Sequence, residues 1–521
     1  MKMIHYILLS LILAFQAFAH NPKENFNWSV VETLPVQSRG RIKPLDTLAR
    51  ESVQFITGKT HFQKFHPIDL LLSWMNDPTY WREYNLILIN NHDFKKMFDL
   101  EIQKKYFSVK ELVSHAKLAS FFEDVHKKRE NKQKMNPLEE EGENILNRVF
   151  LFQEICDGTV ISLVPENQNI LSSFSSLLVA HATDDVKSFE GEALNLKQEI
   201  GKMDPSDSAL RMTREVHYNH LHPFQKAWIL YLLTFFVLLF SLVLKESRLT
   251  YWGGIILCLS AFLIHTYGFI LRCMISGRPP VTNMYESIIW VAWGSIFFGF
   301  ILEFVYRKKI ILLSATAFST IAMILADQLP AILDAGIHPL VPVLRDNFWL
   351  TVHVLTITLS YAAFAVSFVV GNITLGFYIF SKNSLQIQEQ TKFVYKAVQI
   401  GVLLLAAGTI LGGIWADYSW GRFWGWDPKE VWALIALLFY LATLHGRFAG
   451  WLKNFGFTVA ATLSFLGVLM AWYGVNFVLG VGLHSYGFGG GGLGYVAAFV
   501  ALQLLYILVA VYKQTIIITH E

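Results

Sequence analysis

Cysteine is scarce: the 521 residues contain three, Cys156, Cys258 and Cys273. No two of them stand in a CxxC pair, which excludes a disulfide framework and any covalent c-type haem attachment site in this chain. Cys258 and Cys273 lie in or beside apolar runs, where a thiol behaves as a small buried hydrophobe. Charge is scarce too. Only 16% of residues are charged, against roughly 25% in soluble domains. The net charge of +3 is too small, and its basic residues too scattered, to indicate a nucleic-acid partner. The excess lies in hydrophobic residues, 53%, and aromatic ones, 15%, so most of the chain belongs in lipid.

Residues 1–19 combine Lys2, the apolar run IHYILLSLILAFQAF and the small-residue pattern Ala17-Phe18-Ala19. They read as a cleavable secretory signal, with a retained N-terminal anchor as the rival reading; on either reading the chain from His20 onward is exported. Residues 20–222 are polar enough to fold in water. Stretches such as HKKRENKQKMNPLEEEGEN predict solvated helices with a loop near Pro137, hence a mainly helical extracytoplasmic domain. The segment RIKPLDTLARE (Arg41 to Glu51) predicts a turn followed by a helix and carries no metal-ligand spacing.

Residues 223–521 hold successive apolar runs near the ~20 residues that cross a bilayer. They lie at about 227–244, 251–271, 284–305, 310–326, 348–380, 394–414, 429–448, 455–479 and 492–512, which makes nine spans. With residues 20–222 outside, the inner loops carry Arg307, Lys308 and Lys309, then Lys392 and Lys396, then Arg447 and Lys453. The positive-inside rule thus agrees with the signal. The fold class expected is an all-α polytopic transmembrane bundle preceded by the outer domain.

On that topology an unusual segment falls on the outer face. WADYSWGRFWGWDPKEVW (Trp415 to Trp432) holds five of the chain's fifteen tryptophans. An interfacial aromatic belt would spread them over many helix ends. Clustering in one loop with Gly421 and Gly425, where backbone can approach closely, suits a planar apolar ligand. Asp427, Pro428 and Glu430 have the spacing of a capping box and begin the next helix. A metalloporphyrin needs aromatic walls, cations for its propionates and imidazole ligands. His353 and His484 fall on the outer side and His445 near the inner face; intramembrane ionisable groups are functional candidates, although one alone is often a packing residue. Arg422, Arg272 and Arg278 are candidate propionate partners, since guanidinium matches carboxylate bidentately. His265 is a further candidate for ligating or supporting the site.

WGRFWGWDPKEVWALI resembles the tryptophan-rich WWD motif of haem-handling membrane proteins. HTYGFILRCMISGRPPVTNMYES (His265 to Ser287), the His353 span, LHGR around His445 and NFVLGVGLHSYGFG around His484 extend the likeness over roughly residues 250–490. Together they resemble the CcsA/ResC component of the system II cytochrome c synthases.

The resemblance implies a WWD loop at 415–430, with Trp415, Trp420, Trp424, Trp426, Asp427 and Arg422 at an outer haem site. It implies His353 and His484 as axial ligands and His445 at an inner haem site on the export route. Haem b is then a transported substrate, presented reduced to the CxxCH thiols of an apocytochrome c. The implied partners are a ResB/CcsB-like membrane protein, the apocytochrome and thiol-reducing proteins, and the implied place is the bacterial cytoplasmic membrane. A ResB-like partner would complete the inner site. No side chain is assigned as catalytic, because positioning vinyl carbons beside thiolates supplies most of what the reaction needs. Two other readings stand beside this haem-lyase role. One is a haem exporter or chaperone that serves a separate ligase. The other is a secondary transporter with an aromatic gate, for which the sequence shows no convincing repeat.

Overall fold

The computed structural model describes residues 21–131, 133, 135–203, 208–243, 248–329, 333–340, 344, 346–381, 384–480, 482 and 492–520. The signal segment 1–19 and His484 lie outside the described residues. The chain divides into two compact units, Met1–Leu221 and His222–Glu521.

The first unit is mainly helical, with two small antiparallel sheets. One has the order β2-β1-β5, from β1 (Pro35–Ser38), β2 (Arg41–Pro44) and β5 (Ser162–Leu163); the other pairs β3 (Ile87–Leu88) with β4 (Tyr106–Phe107). Its core gathers Trp74, Trp81, Phe94, Phe107 and Phe152. The charged stretch forms helices Ala116–Glu130 and Pro137–Cys156, the second opened by an Asn136–Glu139 capping box. RIKPLDTLARE is a strand followed by a helix, β2 and then Leu45–Thr57. The chain turns before β2, at Arg39 and Gly40, both at positive φ. The motif's side chains grip the helix Ser208–Leu221: Arg41 donates twice to Glu215 (2.8 and 2.7 Å), Thr47 donates to Glu215 (2.8 Å), and Asn219 donates to Asp46 (2.9 Å). Asp46, wholly buried, also takes Arg50 Nε at 2.8 Å. Such partners are what let buried carboxylates stay charged.

In the second unit, nine helices among the described residues are long and apolar enough to cross a membrane, matching the nine apolar runs. They are α1 (Pro223–Val243), α2 (Arg248–Ser276), α3 (Met284–Tyr306), α4 (Lys309–Gln328), α5 (Leu355–Phe380), α6 (Ser384–Trp420), α7 (Pro428–Phe448), α8 (Asn454–Leu469) and α9 (Leu493–His520). Two are extended by π-helical turns, Leu350–Val354 before α5 and Met470–Leu479 after α8. Helix α5 is central and packs against α3, α4, α6, α8 and α9. Of its apolar window 67% is buried, against 17% for α9, which leaves most of α9's surface for lipid.

Helix α6 approaches α5 through Gly408 and Gly412, a GxxxG spacing of the kind that brings membrane helices together. A Cβ at Gly408 would lie 2.9 Å from Ile357 Cα. That contact with backbone shows how little space separates the two helices.

Candidate functional site

The end of α6 and the π-helical extension of α8 meet the starts of α3, α5 and α7, and the residues just before α3, at one end of the bundle. There they enclose a cavity. Its walls come from Thr282 just before α3 and Ser287 on α3, His353 and Tyr361 on the α5 span, Trp415 on α6, Trp424 in the loop, Lys429 on α7, and Trp472 and Asn476 in the second π-helical turn. Both π-helical turns therefore face the cavity, and such turns are frequent at functional sites.

His353 is held from two directions. Its Nδ1 is 2.8 Å from the Gly408 carbonyl. A carbonyl only accepts, so Nδ1 carries the proton and Nε2 keeps the lone pair, the tautomer a metal-ligating imidazole needs. The ring stands over Gly412, where a Cβ would come within 2.6 Å of His353 Cε1. Trp415 closes the other side with ring centroids 5.7 Å apart. The GxxxG pair thus makes room for the imidazole and supplies its hydrogen-bond acceptor.

The tryptophan loop is fixed by its cap. Asp427 Oδ1 accepts the Lys429 N–H at 3.0 Å, while Glu430 Oε2 accepts the N–H of Gly425 at 2.8 Å and of Asp427 at 3.2 Å. The expected capping box is present, and it occupies both carboxylates in shaping the loop. Trp424 and Trp426 meet edge to face, centroids 6.1 Å apart, with Trp426 at positive φ. Gly482, two residues before His484, lies so close to this cap that a Cβ would sit 2.4 Å from Asp427 Oδ2.

Not every candidate residue gathers here. Of the sequence-derived set, His353, Trp415 and Trp424 line the cavity. Trp420, the last residue of α6, and Arg422, Trp426 and Asp427 in the adjoining loop do not line it, and the Arg422 guanidinium lies over Gly425. His265 is completely buried elsewhere, its Nδ1 3.2 Å from Tyr231 Oη and its ring stacked on Phe269 at 5.1 Å, so it packs α2 against α1. His445 is exposed near the far end of α7, its Nδ1 donating to Leu441 O at 2.8 Å. It stands seventeen helical steps from Pro428, roughly 26 Å at 1.5 Å per residue.

Arg272 and Arg278 are engaged in structure instead of facing the cavity. Arg272 is fully buried and pairs with Glu286 at 2.8 Å, while donating to Ala335 O at 2.9 Å. Arg278 donates to His338 O at 2.6 Å, and Glu286 also accepts from Thr282 N and Oγ1. This network ties the α2–α3 turn to residues 335–338, ahead of the His353 turn. Arg272→Met leaves a buried carboxylate unpaired and is expected to cost about 3–5 kcal/mol. The loss is read as a lower thermal midpoint in detergent, largely recovered in Arg272→Met/Glu286→Leu.

Sequence reasoning missed Trp472, Asn476 and Tyr361, which sit inside apolar runs, and it did not single out Lys429. Trp472 Nε1 donates to Ser287 Oγ at 2.9 Å, joining the α8 extension to α3.

Residues 281–484, which include every described residue of the cavity, match the family described as cytochrome C assembly protein. Protein NrfI of Wolinella succinogenes is 30% identical over 506 residues, covering 87% of this chain and 54% of NrfI, so the chain spans about half of NrfI's length. An alignment of that extent takes in residues of the first unit as well as the membrane helices. The cytochrome c biogenesis protein CcsA of Prochlorococcus marinus (strain MIT 9312) is 35% identical over 290 residues, 49% of this chain and 93% of the relative. CcsA of Synechococcus sp. (strain RCC307) is 33% identical over 264 residues, 44% and 84% respectively. The chain belongs to the CcsA-type family of multi-pass membrane proteins that assemble cytochrome c.

Proposed function

We propose that the protein carries haem b across the bacterial cytoplasmic membrane as substrate and presents it at the outer face for attachment to an apocytochrome c. The observation that carries this reading is His353: an imidazole whose Nδ1 proton is committed to Gly408 O, in a cavity walled by Trp415, Trp424 and Trp472. A planar macrocycle stacks on indole faces while Nε2 meets the iron. On this reading His484, two residues after Gly482, is the second axial ligand.

The reaction requires no external oxidant or reductant. Each thiol S–H adds across one vinyl C=C; sulfur bonds to the carbon beside the ring and the proton ends on the terminal carbon. The protein's contribution is to hold vinyl groups and thiols together, and His ligation tunes the iron. When the apocytochrome's own CxxCH histidine takes an axial position, product leaves. Residues 20–222 stand outside the membrane in this account, and exposed His445 completes an inner haem site with a ResB/CcsB-like partner. Thiol-reducing proteins keep CxxCH reduced.

The test is expression of this chain with a ResB-like partner and a CxxCH reporter in a host stripped of its own maturation system. Haem covalently bound to the reporter supports the synthase reading. Haem bound to this protein without thioether formation favours the exporter or chaperone. No bound haem contradicts both.

A further inference from the structure

Lys429 places a cation on the cavity wall. Its Nζ reaches Asn476 Oδ1 at 3.3 Å; Asn476 is oriented in turn by donating its own amide to Trp472 O at 3.1 Å. The neighbouring carboxylates are committed elsewhere. Glu286 pairs with Arg272, Glu430 Oε2 accepts two backbone N–H groups, and Asp427 Oδ1 accepts Lys429's own N–H. Among the described residues no carboxylate forms an ion pair with Lys429. Its position is also locally unfavourable, because it is the second residue of α7, where the helix dipole disfavours cations. Asp427 acts on this ammonium electrostatically without forming an ion pair with it, and an ammonium on an apolar cavity wall, at the wrong end of a helix and with no paired anion, makes sense when a pairing anion arrives with the ligand.

We propose that Lys429, steadied by Asn476, receives a propionate carboxylate of the bound porphyrin. The site then selects porphyrins that carry free acids and fixes which edge of the ring turns away from the incoming thiols. This assignment rests on the haem reading of the cavity. It places the propionate contact inside the cavity, on Lys429, instead of on exposed Arg422.

The test is absorption titration of the detergent-purified full chain with haem b and with haem dimethyl ester, which lacks the carboxylate charge. The wild type should bind the ester at least about tenfold more weakly than haem b, the loss expected of one charge-assisted hydrogen bond. Lys429→Met should weaken haem b by a similar factor while leaving the ester unchanged, and Lys429→Arg should retain most of the preference. Equal loss for both porphyrins in Lys429→Met, or no preference in the wild type, overturns the assignment while His353-dependent binding persists. Absence of any His353-dependent spectrum with either porphyrin overturns the haem reading itself. The wild-type comparison needs no substitution, so absence of a preference overturns the assignment even if a variant fails to fold, while the Lys429 variants set against Arg422→Met tell the two cations apart.

Discussion

His353→Ala is expected to lower holocytochrome c output by about 100-fold or more while the protein still accumulates in the membrane. Even partners one shell beyond a metal ligand change affinity by roughly 10–100-fold, and on the proposed assignment this substitution removes the ligand itself. Folding should survive. His353 is only part-buried, and its Nδ1 hydrogen bond goes to a carbonyl of a neighbouring helix. The vacated volume lies between Gly412 and Trp415, where exogenous imidazole can enter. Partial recovery of output with imidazole separates loss of a ligand from loss of fold. The measurement is haem-stained reporter cytochrome set against immunodetected protein.

Gly412→Val is expected to do nearly as much without touching a ligand. A Cβ there would stand 2.6 Å from His353 Cε1, so valine must drive the imidazole from its place over α6. Gly408→Val acts differently. Its added atoms meet Ile357 backbone at 2.9 Å, so α5 and α6 must part, at about 1–3 kcal/mol of overpacking strain. That separation stretches the bond between His353 Nδ1 and Gly408 O. Gly253→Val is the control, because a Cβ at Gly253 meets nothing within 4 Å. The expected order of haem retention after purification is wild type and Gly253→Val, then Gly408→Val, then Gly412→Val. Thermal midpoints should fall most for Gly408→Val.

The features legible in the chain were those with a local cause. Apolar runs of bilayer length located every one of the helices α1–α9, because each span must satisfy its own backbone in lipid. The Asp427–Glu430 spacing located the start of α7, because a capping box is made within four residues. The cavity itself was not legible. The π-helical turns at Leu350–Val354 and Met470–Leu479 leave no mark in an apolar sequence, yet they bring His353, Trp472 and Asn476 to one wall. GTILG reads as ordinary membrane sequence until Gly408 and Gly412 are set against Ile357 and His353. Arg272 suggested a propionate partner because a membrane arginine invites a ligand. Only the fold shows Glu286 and the carbonyls of Ala335 and Gly336 around it. RIKPLDTLARE reads as a turn and helix, but its part in the first unit is to hold Glu215 and Asn219, a contact that no local pattern encodes.

In the proposed site haem occupies the cavity with His353 on its iron. The most direct test is the absorption spectrum of the detergent-purified protein, made with a ResB-like partner, for wild type and His353→Ala, each with and without imidazole. A b-type haem spectrum is expected in the wild type, with its loss or altered ligation in His353→Ala and a return toward the wild-type form when imidazole is added. A folded wild type without haem, or a His353→Ala spectrum identical to wild type, would contradict that assignment.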